Sequence, residues 1–398
     1  MRQFDIAVVG AGLAGSLAAL ALAESGRSVA LIAPPARAGD GRTTALMDQS
    51  IAFLKTLGLW DDIAPHAAAL ETMQILDGTS RLLRAPPVAF RAGEVGLEAF
   101  GYNIPNAPFL TVLDARIAAH QGIARLENGV TAATAFEAGV ELVLDTGERV
   151  TAGLVVGADG RKSKIRDSAG IDVKTWSYPQ AALVLNFTHE RPHGNVSTEF
   201  HTESGPFTQV PLPGRRSSLV WVLPPAEAAR LRDLSTSDLG QAVEARMQSM
   251  LGKVSVEGGA QSFPLSGMTA ARFGKGRFVL VGEAAHAFPP IGAQGLNLSL
   301  RDIMALREAL SSEPATVGER FDRKRQADVR SRTLSVDLLN RSLLSDFLPV
   351  QFLRSAGLHL LSALGPLRGI VMREGIEPLG SLKALRDMLR ERVARKQA

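Results

Sequence analysis

The 398-residue sequence predicts an α/β fold in which a Rossmann-like, doubly wound parallel sheet is interrupted by a β-rich insertion and followed by a helical C-terminal region. Three observations predict it. Residues 4–32 read strand, tight turn, helix, strand. Two later apolar runs, ending at Gly157 and Gly282, each lead into a glycine-containing turn. Between those runs the pattern shifts to the short alternating segments of antiparallel sheet.

Phe4 to Val9 is apolar and β-branched up to Gly10, Leu13 to Ser25 is rich in Ala and Leu and closes at Gly26, and Ser28 to Ile32 is a second apolar run. This βαβ unit implies parallel strands. From Gly122 to Gly157 short strands follow one another, with Asp145-Thr146-Gly147 as a hairpin turn between Val140–Leu144 and Arg149–Val156. Ala181 to Leu223 alternates again and is expected to form a separate sheet. Arg277 to Val281 reads as a buried strand, and a helix is expected from after Gly295 to about Leu310. Beyond Thr316 the pattern is helical, broken at Pro349 and Pro366. The expected divisions are a discontinuous nucleotide domain (1–72, 100–176, 266–315), a β-rich domain (73–99, 177–265) and a helical region (316–398).

Composition bounds the chemistry. With 45% hydrophobic and 21% charged residues the chain can bury a large core and holds no extended polar tract. It has no cysteine, which excludes disulfides, thiolate metal sites and cysteine nucleophiles, so redox work needs a borrowed cofactor. Neither a metal site nor a nucleic-acid partner is expected. Met1-Arg2-Gln3-Phe4-Asp5 lacks the features of a secretion signal, and the apolar run Leu13–Ala23 is shorter than the roughly 20 residues that span a bilayer, so a cytoplasmic protein is expected. The net charge of +4 is matched by a local excess between Pro366 and Ala398. There Leu382, Leu385, Leu389 and Val393 recur at helical spacing among basic residues. That pattern suits a helix on an anionic membrane face and equally a helix packed on its own protein.

Three segments carry the chemistry. Gly10-Ala11-Gly12-Leu13-Ala14-Gly15 opens a helix directly after a strand. The first glycine permits the turn, the second lets a pyrophosphate approach, the third allows close packing, and the helix N-terminus offers amide donors. The acid that ordinarily bonds the ribose at the end of the second strand is replaced by Ile32-Ala33-Pro34-Pro35, with Asp40 the next acid along. Gly157-Ala158-Asp159-Gly160, followed by Arg161 to Arg166, reads on its own as a strand-to-helix turn capped by Ser163. The third segment runs from Gly282-Glu283-Ala284-Ala285-His286 through Pro289-Pro290 to Gly295-Leu296-Asn297. Its carboxylate can accept from a polyhydroxyl chain, its small residues can bring amides against a flat ring, and the helix beginning near Leu296 directs positive potential there.

Together these segments resemble the single-component flavoprotein aromatic hydroxylases, the class of para-hydroxybenzoate hydroxylase. Within that class His189-Glu190-Arg191-Pro192-His193-Gly194, Gly205-Pro206 with Phe207 to Leu212, and Lys324-Arg325-Gln326-Ala327-Asp328-Val329-Arg330 are similar to the ubiquinone-biosynthesis hydroxylases, over residues 4–376. The resemblance implies FAD, with Gly10, Gly12 and Gly15 at its pyrophosphate and Arg42 in contact with it. Asp159 and Gly160 would serve both FAD and NAD(P)H. Gly282 and Glu283 would lie at the ribityl chain, where the family usually has aspartate, and Pro289, Gly295, Leu296 and Asn297 beside the isoalloxazine.

It also implies that no side chain is the nucleophile: NAD(P)H reduces the flavin, O2 forms a flavin hydroperoxide, and the ring attacks it. The absence of a second GxGxxG fits a transient NAD(P)H. The expected substrate is a polyprenylated phenol of ubiquinone biosynthesis, which would place the enzyme at the inner membrane face or among pathway proteins. The alternatives are a soluble aromatic substrate, or a flavin-binding partner that does not turn over. His286 is read as structural, and His189, His193 and His201 as surface or sheet residues. Phe207 and Trp221 are read as core or as pocket lining.

Overall fold

The computed structural model describes residues 2–35, 41–79, 86–289, 294–311 and 313–329. Asp40, Pro290 to Ala293, the breaks at Pro349 and Pro366 and the basic stretch from Pro366 to Ala398 lie outside the described residues.

The chain opens with β1 (Arg2–Val9), α1 (Leu13–Ala23) and β2 (Val29–Ile32). α1 carries no charge and is buried from Gly15 to Ala23, because its Ala and Leu side chains let it sit between the sheet and the helices Asn106–Ala119 and Gln294–Ala309. The core sheet runs in the order Gly274–Lys275, Phe278–Leu280, Arg149–Gly157, β1, β2, Ile123–Leu126. From Phe278–Leu280 across to Ile123–Leu126 the pairing is parallel throughout. The hairpin read from the sequence is present: Gly139–Leu144 pairs antiparallel with Arg149–Gly157, and Gly147, at φ +83°, closes the turn onto the Leu144 carbonyl.

A second, eight-stranded sheet has the order His286–Ala287, Val254–Ala270, Val173–His189, Arg216–Leu223, Gly205–Leu212, Val196–Thr202, Thr72–Asp77, Val88–Arg91. Two of its strands, Val173–His189 and Val254–Ala270, are each 17 residues long and run without interruption across positions 176–177 and 265–266, where the sequence suggested divisions. A small three-stranded sheet, Thr43–Met47, Gly101–Pro105 and Ala68–Ala69, lies between the two.

Alternation divides the second sheet into two faces. On one, Ala181, Leu183, Leu185, Phe187, Leu219, Trp221 and Leu223 pack under the helices Pro225–Arg232 and Thr236–Arg246. Phe207 and Trp221 belong to this face, their ring centroids 5.0 Å apart, so they are core and do not line a pocket. The other face carries Ala182, Val184, Val220, Val222, Leu265 and Tyr178. It also carries Ser218, which accepts hydrogen bonds from Thr43 Oγ1 at 3.0 Å and Asn103 Nδ2 at 3.2 Å.

Residues 317–329 are helical and belong to the first core, where Val317, Phe321 and Val329 are buried. Asp322 Oδ1 accepts the Phe273 N–H at 2.7 Å, and Glu319 Oε1 accepts that of Gly276 at 2.8 Å. Among the described residues no helix is long and apolar enough to cross a membrane.

Candidate functional site

The three glycine segments, separated by more than a hundred residues each in the chain, meet at the C-terminal ends of three adjacent parallel strands. Val9 lies beside Gly157, and Gly157 beside Leu280. Ala158 N–H donates to the Val9 carbonyl at 2.8 Å, and Val281 N–H to that of Gly157 at 2.9 Å. Open α/β sheets bind ligands at this end of the strands.

Each glycine of the first segment has a separate reason. Gly10 has φ +106°, and a Cβ there would lie 2.3 Å from the Ala158 carbonyl oxygen. A Cβ on Gly15 would lie 1.9 Å from the Gly10 carbonyl oxygen. A Cβ on Gly12 would meet nothing within 4 Å. Gly10 and Gly15 are therefore required by the fold itself, whereas the protein leaves space at Gly12, at the N-terminus of α1, where amides lack intrahelical partners. The second strand ends at Ile32; the next residue, Ala33, donates its N–H to the Leu126 carbonyl at 3.0 Å, and no acid stands there.

Asp159 follows directly. Its Oδ2 accepts the Ile165 N–H at 3.2 Å, while Oδ1 is buried with no partner. Burial pushes its carboxyl above the usual range, and the hydrogen bond from the Ile165 amide offsets this only in part. Gly160, at φ +78°, turns the chain toward the short helix Lys164–Ser168, which Ser163 caps by accepting the Arg166 N–H at 2.9 Å, as the sequence indicated.

In the third segment Gly282, at φ +61°, opens a tight turn, and a Cβ there would lie 3.1 Å from both Ala14 Cβ and Ser299 Oγ. Glu283 is more than half exposed and pairs with Arg161 at 3.7 Å, while Arg161 Nη1 donates to Ser266 Oγ at 2.6 Å. Pro289 is buried. Gly295 and Leu296 lie in the first turn of the helix Gln294–Ala309, with Leu296 packed on the core. Asn297 faces the small sheet: Oδ1 accepts from Met47 N–H at 2.9 Å and Ser50 Oγ at 2.6 Å, and Nδ2 donates to the Ala45 carbonyl at 2.8 Å. Arg42 has its guanidinium 5.9 Å from the centre of the Phe263 ring, and its carbonyl accepts the Asn106 N–H at 3.0 Å.

Behind this turn lie residues that sequence reasoning gave no role. Asp302 Oδ2 meets the Gly282 N–H at 3.1 Å and His286 Nε2 at 2.7 Å, while Oδ1 accepts from Arg325 Nε at 2.7 Å. Burial alone would raise the Asp302 carboxyl, but the positive potential of His286 and Arg325 and the hydrogen bonds from His286 and Gly282 hold it below the usual carboxylate range. His286 is almost wholly buried and structural, as expected. Arg166 Nη1 donates to the Ala284 carbonyl at 3.2 Å, tying the second segment to the third. Of the three histidines read as surface or sheet residues, His189 and His201 lie on strands of the second sheet and His193 in the turn between them. His189 contacts the Arg191 carbonyl and Ser217, His193 the Leu212 carbonyl, and His201 Glu199.

The junction suits a dinucleotide: a glycine turn with room above it, a helix N-terminus for phosphate, and a buried carboxylate oxygen awaiting a donor. Comparison with known proteins agrees. The family described as FAD binding domain matches residues 3–316. The ubiquinone hydroxylase UbiL of Rhodospirillum rubrum is 34% identical, with 95% of this chain and 90% of that protein aligned. The 3-demethoxyubiquinol 3-hydroxylase of Escherichia coli is 31% identical, over 92% of this chain and 96% of its own. Among solved structures, Klebsiella pneumoniae HpxO complexed with FAD and uric acid shares the fold at a TM-score of 0.77 and 19% identity, covering 95% of this chain and 98% of its own.

Proposed function

The chain belongs to the FAD binding domain family, and from that premise we propose that it is the hydroxylase of a polyprenylated phenol in ubiquinone biosynthesis, using NAD(P)H and O2. The observation that carries this reading is the convergence of three glycine turns at neighbouring strand ends; the apolar sheet face formed by Tyr178, Ala182, Val184, Val220, Val222 and Leu265 is the surface offered to the ring. Bound FAD, reduced by the nicotinamide nucleotide, supplies the activated oxygen transferred to the ring.

The chain's own residues bind, orient and exclude water. The Gly10–Gly15 turn and the N-terminus of α1 hold the pyrophosphate, with Gly12 giving it room. Asp159, through its unpartnered Oδ1, accepts from a hydroxyl or amide of the cofactor, and Gly160 lets the chain pass close by. Gly282 and Glu283 hold the ribityl chain, and Arg161 fixes the Glu283 carboxylate. Pro289, Gly295 and Leu296 border the flavin ring. Asn297 acts on it through the backbone, since its side chain is committed to residues 45–50. Arg42 and Phe263 stand at the edge of the apolar face, which suits a ring with a long hydrocarbon tail. The basic stretch from Pro366 to Ala398 supports a position at an anionic membrane face, where such a substrate resides.

Two measurements test the reading. Purified protein titrated with FAD should acquire a flavin spectrum and oxidise NADH or NADPH with O2 uptake when a prenylated phenol is added; a protein that stays colourless refutes the flavin site. A strain lacking the gene should lose ubiquinone and accumulate a less hydroxylated precursor, and an unchanged quinone profile refutes the substrate.

A further inference from the structure

We infer that Arg325 is a positioning residue for the flavin site, acting through Asp302 on the turn at Gly282. The inference rests on FAD occupying the glycine junction and is independent of the ring substrate. Arg325 lies beyond residue 316, where the family match ends, in the helix 317–329.

Asp302 is buried, as is Arg325. One carboxylate oxygen of Asp302 serves two groups of the third segment, the Gly282 N–H and His286 Nε2. The other receives Arg325 Nε at 2.7 Å, while Arg325 Nη1 donates to Asp328 Oδ2 at 2.5 Å. The guanidinium therefore fixes the rotation of the Asp302 carboxylate, and the carboxylate fixes the Gly282 amide. Gly282 holds a left-handed conformation at φ +61°, so the turn is specified from behind by that bond. The next side chain is Glu283, paired with Arg161 from the second segment. A planar guanidinium can hold both carboxylates at fixed angles, which a lysine ammonium cannot.

The same helix offers a control. Asp322 docks it by accepting the Phe273 N–H, and its hydrogen bonds do not include the Gly282 turn. The test compares full-length wild type, Arg325→Lys, Arg325→Met and Asp322→Ala in FAD dissociation constant, by flavin fluorescence quenching, and in flavin midpoint potential and thermal midpoint. Arg325→Lys should fold with a cooperative melt, bind FAD about tenfold more weakly and shift the potential, a change of the size expected for one lost charge-assisted hydrogen bond. Asp322→Ala should lower the thermal midpoint while leaving FAD affinity and potential within about twofold of wild type. Equal affinity and potential in Arg325→Lys and wild type would overturn the inference, as would Asp322→Ala weakening FAD as much as Arg325→Lys. Where Arg325→Met fails to fold, the comparison of Arg325→Lys with Asp322→Ala decides. Should wild type itself bind no FAD, it is the proposed function that falls.

Discussion

Replacing Asp159 with Asn separates the cost of a ligand site from its use. The Asp159 carboxylate is buried, with no protein partner at Oδ1 and held to the chain through Oδ2. An unsatisfied buried acceptor costs about 1–3 kcal/mol, more when charged, and a neutral amide sheds part of this while its oxygen still accepts the Ile165 N–H. Asp159→Asn should therefore stabilise the apoprotein by about 1 kcal/mol, or roughly 1 °C in thermal midpoint for a chain of this length. The pH dependence gives the sign. The folded-state pKa of Asp159 is raised, so its contribution favours folding below the unfolded value, about 3.9, and is lost as pH rises through the folded value. Variant and wild type should then melt alike in acid and diverge toward neutrality. With FAD the order reverses: a charge-assisted hydrogen bond is worth about 1.5–3 kcal/mol, so affinity should fall about 10- to 150-fold. Melts from pH 4 to 8 and FAD titration by fluorescence quenching measure both. A variant less stable than the wild-type apoprotein at pH 7, or one binding FAD with unchanged affinity, refutes the reasoning.

Gly12→Ala and Gly15→Ala should fail differently. The first should fold normally and lose FAD affinity, whereas the second should express as aggregated or destabilised protein, because its Cβ would overlap the Gly10 carbonyl; circular dichroism with FAD titration distinguishes them. Asp302 has a folded-state pKa below the unfolded value, so its stabilisation is present above about pH 4 and lost as pH falls through the folded value. Asp302→Asn should accordingly flatten the acid limb of the stability profile in chemical denaturation. Trp221→Ala should cost about 3–5 kcal/mol of stability while leaving the KM for the aromatic substrate within about twofold, since the ring lies under the helices; a large rise in KM without loss of stability would return Trp221 to the pocket.

What the sequence made legible follows from where the signal is local. The turn at Gly10, the hairpin at Gly147 and the cap at Ser163 each announce themselves within a few residues, and the structure has all three. The meeting of the three glycine segments was legible only as order and spacing, because parallel pairing leaves no local mark. Trp221 illustrates a different limit: Leu219 to Leu223 is apolar at every position, so alternation could not say which face the ring takes. The pairing of Trp221 with Phe207 decides it. The first half of Val173–His189 is largely exposed and contains Pro179, so it lacks the apolar alternation that marks a strand. The stretch around Arg325 stood out only by resemblance and Asp302 not at all, because charges within charged helical runs read as solvent-facing and only the fold shows these two buried against each other.

The two 17-residue strands carry a mechanical consequence. Both belong to the second sheet and stay paired to each other from Val173–Ala270 to His189–Val254, so any bending of that sheet along their length has to twist this ribbon as a torsion bar. Its stiffness is uneven. The pairing of the two strands shifts register between Ser177 and Ala181 and again between Val184 and Asn186, and these interruptions are where the ladder resists least. Ala182 and Val184, on the apolar face, sit between and at the edge of the two soft points. Flexing of the ribbon is thereby coupled to the shape of the surface on which a ring would rest.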